Sequence, residues 1–337
     1  VRILYSSVHQ VLEFDELRLL RDLGHDVFSL GAYFNGGHGD TFRPPLDLGD
    51  VNAFLREQFF ALGCRLAPGD IHLSAEWVAL FDVSIVMHDI GLLSEVWDAL
   101  SIKPVFLRLI GQSIEATNAA ALPYRRQGLR VIRYSQNEML ADSYVFGDAL
   151  IRFGKYAADY GPWTGGDPRV LTCANNFESR YPGDFAQWCQ VTAGYQPALC
   201  GDGNAGCPGD MGLVSFEQQR TLLCHCSAYL YCTAGFVPYT LNFIEAWMSG
   251  IPVVVLDAGA RRNRFFEITH LIRHGVNGLI CSDVETAREA IGGLQADPAW
   301  GERIGRAGRD AAIALFGADT VKAEWQALLG GVACDPA

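Results

Sequence analysis

Short apolar runs alternate along the whole chain with stretches whose apolar residues recur at helical spacing. Arg2–Ser7 (RILYSS) reads as a strand. Phe14–Leu23 has a helical apolar stripe and stops at Gly24, a natural helix end. Further strands are predicted at Asp26–Gly31, Ser84–His88, Pro104–Gly111, Arg130–Ser135 and Asp148–Phe153, with a helix at Val51–Leu62 after the Gly/Pro/Asp-rich loop Asn35–Asp50. Continuous apolar strands separated by helical patterns point to a parallel sheet covered on both faces. The polar, Gly- and Pro-rich stretch Ala157–Asp167 interrupts this pattern, which then restarts. Strands are expected at Arg169–Ala174, in YQPALCG, in AYLYCT, at Ile251–Asp257 and in NGLICS. Helices are expected at Pro182–Thr192, Ser215–His225, Thr240–Met248, Val284–Ala296, Trp300–Phe316 and Lys322–Leu329.

The pattern therefore predicts an α/β chain of two Rossmann-like parallel-sheet domains facing across a cleft. Their bounds are residues 1–156 and 169–316, with a junction at 157–168 and a terminal helical segment at 317–337 that packs back on the first domain. At 337 residues the chain is long enough for two such domains.

The densest chemical signal lies in Ala228–Gly259: an apolar strand, a turn rich in Gly, Pro and Thr, a helix with one inward acidic residue (Glu245), a Ser-Gly stop and a second buried strand. A carboxylate wedged between two hydrophobic strands is costly unless something polar uses it. The helix begins just after Pro238 with Thr240 available as its cap, so free backbone N–H groups form a ready anion site. A carboxylate for hydroxyls and a helix start for phosphate together suggest a nucleotide-sugar pocket.

Composition narrows the partners. The net charge is −12, with the acidic excess shared evenly between the two halves. That gives little support for non-specific binding to nucleic acid or anionic lipid; the local clusters Arg125-Arg126 with Arg130 and Arg261-Arg262 with Arg264 are the exceptions in charge density. No window approaches the roughly 20 apolar residues needed to span a bilayer, and the start reads as a strand, not as a signal peptide. The ten cysteines include no CxxC pair. Cys224-His225-Cys226 has neither the spacing nor the further ligands of a zinc site. Buried thiols in a reducing cytoplasm are expected.

Residues Glu245-Ala246-Trp247-Met248-Ser249-Gly250-Ile251-Pro252-Val253-Val254, then Glu267-Ile268, then His274-Gly275-Val276-Asn277-Gly278-Leu279, resemble in order the donor domain of two-lobed (GT-B) glycosyltransferases. The likeness is to the retaining, nucleotide-sugar-dependent group with a Glu-x7-Glu motif. Leu199-Cys200-Gly201-Asp202-Gly203 and Gly212-Leu213-Val214-Ser215 stand where that family has a Gly-x-Gly turn and the approach to the next helix. Two positions depart from it. Val237 replaces the first Glu of the motif, and Asn175 replaces the first of two basic residues after the domain's opening strand, whereas Arg180 matches the second.

The resemblance implies a glycosyltransferase that moves a sugar from a nucleoside-diphosphate sugar, with UDP as the expected carrier, to an acceptor hydroxyl. Retention, independence of metal and the absence of any further cofactor are implied as well. Glu245 would accept from ribose hydroxyls. The N–H groups of Thr240, Leu241 and Asn242 would meet the distal phosphate, Gly201 and Gly203 would approach the donor, and Tyr239 would line the sugar pocket. Arg180 would offset charge on the leaving diphosphate, with Arg152 and Lys155 as reserves. In the first domain, ligands meet the carboxyl ends of parallel strands. That rule selects Ser7 and His9, His88 and Asp89, Gly111 and Gln112, and Ser135, with His88 and Gln112 as catalytic candidates alongside Arg180. The absence of an Asp-x-Asp triplet agrees with a metal-free site. The absence of G-x-G-x-x-G after the first strand, of a P-loop and of Gly-x-Ser-x-Gly disfavours dinucleotide, nucleoside-triphosphate and serine-hydrolase chemistry. The acceptor is expected to be a glycan, a lipid-linked saccharide or a modified nucleic acid. Alternatives in function are a phage-type glucosyltransferase of hydroxymethylated DNA bases, a sugar-nucleotide 2-epimerase and a degenerate nucleotide-sugar-binding protein.

Overall fold

A computed structural model describes residues 1–38, 43–144, 147–232, 237–257 and 263–333. Gly259, Arg261 and Arg262, named above, and the threonine that ends AYLYCT lie outside them. The chain divides into two compact units, Val1–Gly154 with Asp319–Ala337, and Lys155–Ala318.

The first unit is built on a six-stranded sheet. Its strands are β1 (Arg2–Ser7), β2 (Asp26–Ser29), β5 (Val83–Met87), β6 (Val105–Arg108), β7 (Arg130–Arg133) and β8 (Ala149–Leu150). The order is β2-β1-β5-β6-β7-β8, and every pairing is parallel. All of β5 and β6 is buried, as a parallel sheet with both faces covered requires. A small antiparallel hairpin, β3 (Arg65–Ala67) and β4 (Asp70–His72), stands apart. The helix Gln10–Asp22 begins four residues before the predicted Phe14, because the ring Nδ1 of His9 accepts from the Leu12 N–H and caps it. Helices at Ile90–Leu100 and Ile114–Arg125 were not anticipated. Their starts, Asp89 and Ser113, follow short loops, and the first has few polar residues to mark its outer face.

One face of the sheet packs on an aromatic cluster of Phe28, Phe59, Trp77 and Phe81. The other buries charge. Arg108 on β6 is fully buried and pairs with Glu16 at 2.8 Å. It also donates to the carbonyls of Ile151 (2.6 Å), Arg133 and Arg152, and lies over the rings of Phe153 and Trp325. The Tyr5 hydroxyl donates to the other Glu16 oxygen at 2.7 Å.

The second unit holds β9 (Asp167–Cys173), β10 (Gln196–Cys200), β11 (Cys226–Tyr231), β12 (Val253–Leu256) and β13 (Leu279–Cys281), in the order β10-β9-β11-β12-β13, all parallel. Helix Pro182–Thr192 has the predicted bounds, and helix Phe216–His225 is opened by a capping box of Ser215 and Gln218. Helix Leu241–Ser249 starts at a Thr240 cap and ends at Gly250 in the left-handed region (φ 81°). Glycine is the residue best suited to that end, and the neighbouring long helix Pro298–Phe316 approaches so closely that a Cβ on Gly305 would lie 1.9 Å from the Gly250 carbonyl. A short helix, Ile268–Leu271, precedes β13.

Candidate active site

In each sheet the strand order reverses at one place, and ligands of open α/β sheets bind outside the carboxyl ends of the strands at such a point. In the first unit the reversal falls at β1/β5. Ser7 ends β1 opposite Met87 at the end of β5. The Ser7 hydroxyl donates to the Met87 Sδ at 3.2 Å and accepts from the His9 N–H at 3.0 Å. His88, the next residue after β5, takes a left-handed backbone (φ 56°), a conformation uncommon among non-glycine residues, in which His, Asn and Asp are enriched and which clusters at functional sites. Its N–H donates to the Arg108 carbonyl, while its buried ring Nδ1 has no hydrogen-bond partner among the described residues. Asp89 is committed to capping the next helix through the Leu92 N–H. Ser7, His9 and His88 are thus gathered at the reversal. Gln112 is exposed beyond β6, one strand further on. The preceding Gly111 (φ 72°) permits a close approach there, since a Cβ would lie 2.1 Å from the Tyr134 hydroxyl. Ser135 is buried and caps the 3-10 turn Gln136–Leu140.

Burial pushes the His88 imidazole below its ordinary value, against the opposing charge of Asp89, and burial does the same to His25. Both rings are therefore held neutral at neutral pH. As the pH falls through the ordinary histidine value of about 6.5, the unfolded chain takes up these protons first, so stability declines as the pH falls from there toward the folded values. Burial raises Glu13 and Glu138, which act in the opposite sense above the ordinary carboxylate range. The His88 share is isolated by comparison with His88→Gln. Urea unfolding between pH 7.5 and 5.5 is expected to show a shallower loss of stability in the variant than in the parent. Equal slopes would remove His88 from the account.

In the second unit the reversal falls at β9/β11. The turn after β9 and the turn after β10 are locked together. The Asp202 N–H donates to Asn175 Oδ1 at 2.9 Å, the Asn176 N–H donates to the Asp202 carbonyl at 2.7 Å, and Asn204 bridges to Ala174, Gly201 and Phe177. A Cβ on Gly201 would fall 2.1 Å from the Ala174 carbonyl, and one on Gly203 would fall 2.1 Å from Asn176 Oδ1. The two glycines of the predicted turn are thus needed for this contact between loops. Asn175, at the position of the first basic residue in the resemblance, serves as an acceptor inside it. Arg180 ends the short helix Phe177–Arg180, exposed, with its guanidinium over the Tyr181 ring.

The helix Leu241–Ser249 starts beside these turns, because Asn242 Nδ2 donates to the Cys173 carbonyl at the end of β9. The Thr240 hydroxyl accepts from the Phe243 N–H, and the Thr240 carbonyl accepts from the Ile244 N–H. The N–H groups of Leu241 and Asn242 have no acceptor among the described residues, leaving two donors at the positive end of the helix dipole. Tyr239 is buried, with its ring edge-on to Phe316. Val237 accepts from Asn263 Nδ2 through its carbonyl.

Glu245 sits in the second turn of the same helix and is 1% exposed. Its Oε1 takes the Lys155 ammonium at 2.6 Å and its Oε2 takes Gln219 Nε2 at 2.8 Å. Lys155 stood above only as a reserve and Gln219 was not singled out. Helical spacing within Phe216–His225 gives no sign of a partner 26 residues away, and Lys155 is 90 residues away. No group of three His, Cys, Asp or Glu side chains among the described residues is arranged to hold a metal ion, and no described helix is long and apolar enough to cross a membrane.

No family model and no curated protein sequence matches the chain. Solved structures do. HepE of Anabaena, in a crystal structure with UDP and glucose, is similar with a TM-score of 0.68 at 12% identity, covering 98% of this chain and 99% of that one. The sucrose-phosphate synthase of Thermosynechococcus elongatus is similar with a TM-score of 0.69 at 16% identity, over 99% of both chains. A glycosyltransferase of Rickettsia africae is similar with a TM-score of 0.70 at 10% identity, again over 99% of both. With two parallel-sheet units and this breadth of structural likeness, the chain has the fold of the GT-B glycosyltransferases.

Proposed function

We propose that the chain is a glycosyltransferase that transfers a sugar from a nucleoside-diphosphate sugar, carried on UDP, to an acceptor hydroxyl, with retention at the anomeric carbon and without metal. The observation that carries this reading is the start of helix Leu241–Ser249. Two N–H groups of the helix's first turn, which have no acceptor within the helix, lie at the carboxyl edge of a parallel sheet, beside its reversal, on a fold shared with a protein crystallised with UDP-glucose. Leu241 and Asn242 would bind the distal phosphate there, and Gly201 and Gly203 would let backbone come close to the donor. Arg180 would stabilise charge building on the departing diphosphate. Glu245 would take ribose hydroxyls through charge-assisted bonds. In the first unit, Ser7, His9, the neutral His88 ring and Gln112 are suited to hydrogen-bond sugar or acceptor hydroxyls. The acceptor hydroxyl attacks from the face the diphosphate leaves, the bond from the anomeric carbon to the phosphate oxygen breaks, and that phosphate oxygen takes the hydroxyl proton. The protein positions the partners and offsets charge. The acceptor class is a glycan, a lipid-linked saccharide or a modified nucleic acid. The described free thiols, several of them deep in the second unit, suit a reducing cytoplasm.

The test is incubation of the purified chain with labelled UDP-, GDP- and ADP-sugars, with and without EDTA. Release of UDP with sugar transfer or slow hydrolysis, unaffected by EDTA, is the expected result. No binding and no turnover of any donor would overturn the reading.

A further inference from the structure

The buried pair of Lys155 and Glu245 bears on how an anionic donor is tolerated, on the reading that the Leu241–Ser249 helix start holds a diphosphate. We propose that Lys155 is a charge-balancing, positioning residue. Its ammonium cancels the charge of the Glu245 carboxylate, so that the start of the same helix accepts a diphosphate.

The argument is electrostatic. Both residues are 1% exposed, and their charged atoms are 2.6 Å apart. Removing two charges from water costs more than a pair of this kind returns unless geometry and further hydrogen bonds are good, and apolar side chains of like volume serve stability as well or better. The pair is therefore better explained by what its charges do. The carboxylate lies in the second turn of the helix whose first N–H groups await an acceptor. Alone, it would set a negative charge near the place proposed for the most negative part of the donor. At an effective dielectric of about 20, one uncompensated charge within ~10 Å of a phosphate shifts a dissociation constant by roughly tenfold for each phosphate charge. Lys155 is delivered from a fixed backbone. Its N–H donates to the Phe316 carbonyl at 2.7 Å, and its own carbonyl accepts from the Ala318 N–H at 2.9 Å. Gln219 holds the second carboxylate oxygen. The ammonium thus neutralises the carboxylate through a direct ion pair at 2.6 Å.

The experiment compares a charged and an uncharged ligand on the full-length chain. UDP and uridine are titrated by calorimetry or ligand-observed NMR, with GDP and guanosine or ADP and adenosine taken instead if the parent binds those diphosphates tighter. Lys155→Met is expected to weaken the diphosphate by about tenfold or more, while the nucleoside changes by less than about threefold. The double variant Lys155→Met/Glu245→Gln, which has no net charge at the site, is expected to restore the parent ratio of diphosphate to nucleoside affinity, both ligands sharing any loss at the ribose. Glu245→Gln alone, which leaves the ammonium unopposed, is expected to raise the ratio of diphosphate to nucleoside affinity, and it decides the matter if Lys155→Met does not fold. Equal weakening of both ligands in Lys155→Met, an unchanged ratio in Glu245→Gln, or a double variant whose ratio stays as low as that of Lys155→Met would overturn the proposal. A parent protein that binds no nucleoside diphosphate would overturn the donor reading itself, and this is seen before any variant is made.

Discussion

Replacing Arg108 with methionine is expected to destabilise the first unit by about 3–5 kcal/mol, the range for removing one partner of a buried ion pair. The guanidinium is the hub of that unit. It joins Glu16 on the helix Gln10–Asp22 to the carbonyls of Arg133, Ile151 and Arg152 and stacks on Phe153 and Trp325, so it ties β6 to β7, to the segment after β8 and to the C-terminal helix. Methionine fills part of the volume and leaves Glu16 with a buried charge and, among the described residues, the Tyr5 hydroxyl as its side-chain donor. The companion substitution Glu16→Gln removes that charge, so the double variant Arg108→Met/Glu16→Gln is expected to recover much of the loss. Hydrogen exchange of the first unit's strands, measured for parent, singles and double, reads this without assuming that a two-unit chain unfolds in one step. Additive effects of the two substitutions would show that the pair is not coupled.

The largest expected effect on turnover belongs to Arg180. With Arg180→Ala, kcat for donor consumption is expected to fall on the order of 10²–10³-fold, the usual result of deleting one group that stabilises developing charge. The donor KM is expected to move much less, because the charge on the leaving diphosphate is greatest at the transition state. Arg180→Lys retains a point charge without the planar fork and should fall between the two. The variant is expected to fold normally. Arg180 is exposed, its guanidinium lies over the Tyr181 ring, and its backbone N–H donates to the Asn176 carbonyl whatever the side chain. An unchanged kcat in Arg180→Ala would remove it from the chemistry and shift attention to the helix start as the main counter to phosphate charge.

Much of the local architecture was legible in the apolar pattern. The continuous runs of β1, β5, β6, β11 and β12 are buried along nearly their whole length. The Thr240 cap and the Gly250 stop bound their helix, and Gly201 and Gly203 occupy turns where a side chain would strike a neighbouring loop. Element ends were less legible. DALIRF contributes only Ala149–Leu150 to the sheet, because the chain beyond it turns to offer its carbonyls to Arg108. The helix Gln10–Asp22 began earlier than its apolar stripe, because a histidine ring served as its cap. The aromatic Tyr239 was a pocket candidate by its place in the chain, and the structure gives its ring a packing partner in Phe316, 77 residues later.

Residue order alone determined most of the strands and many of the helices, the main turns, and that the acidic Glu245 would face inward among apolar side chains. Those properties are local: a period of two or 3.6 residues states which face of an element is buried. Only the tertiary structure decided which partner each buried charge meets. Lys155 and Glu245, Arg108 and Glu16, and Ser7 and Met87 are each brought together across 80 or more residues. In parallel sheets every strand returns through a crossover, so neighbours in space are remote in sequence. Periodicity records that a side chain is buried and carries no record of the group that will neutralise it.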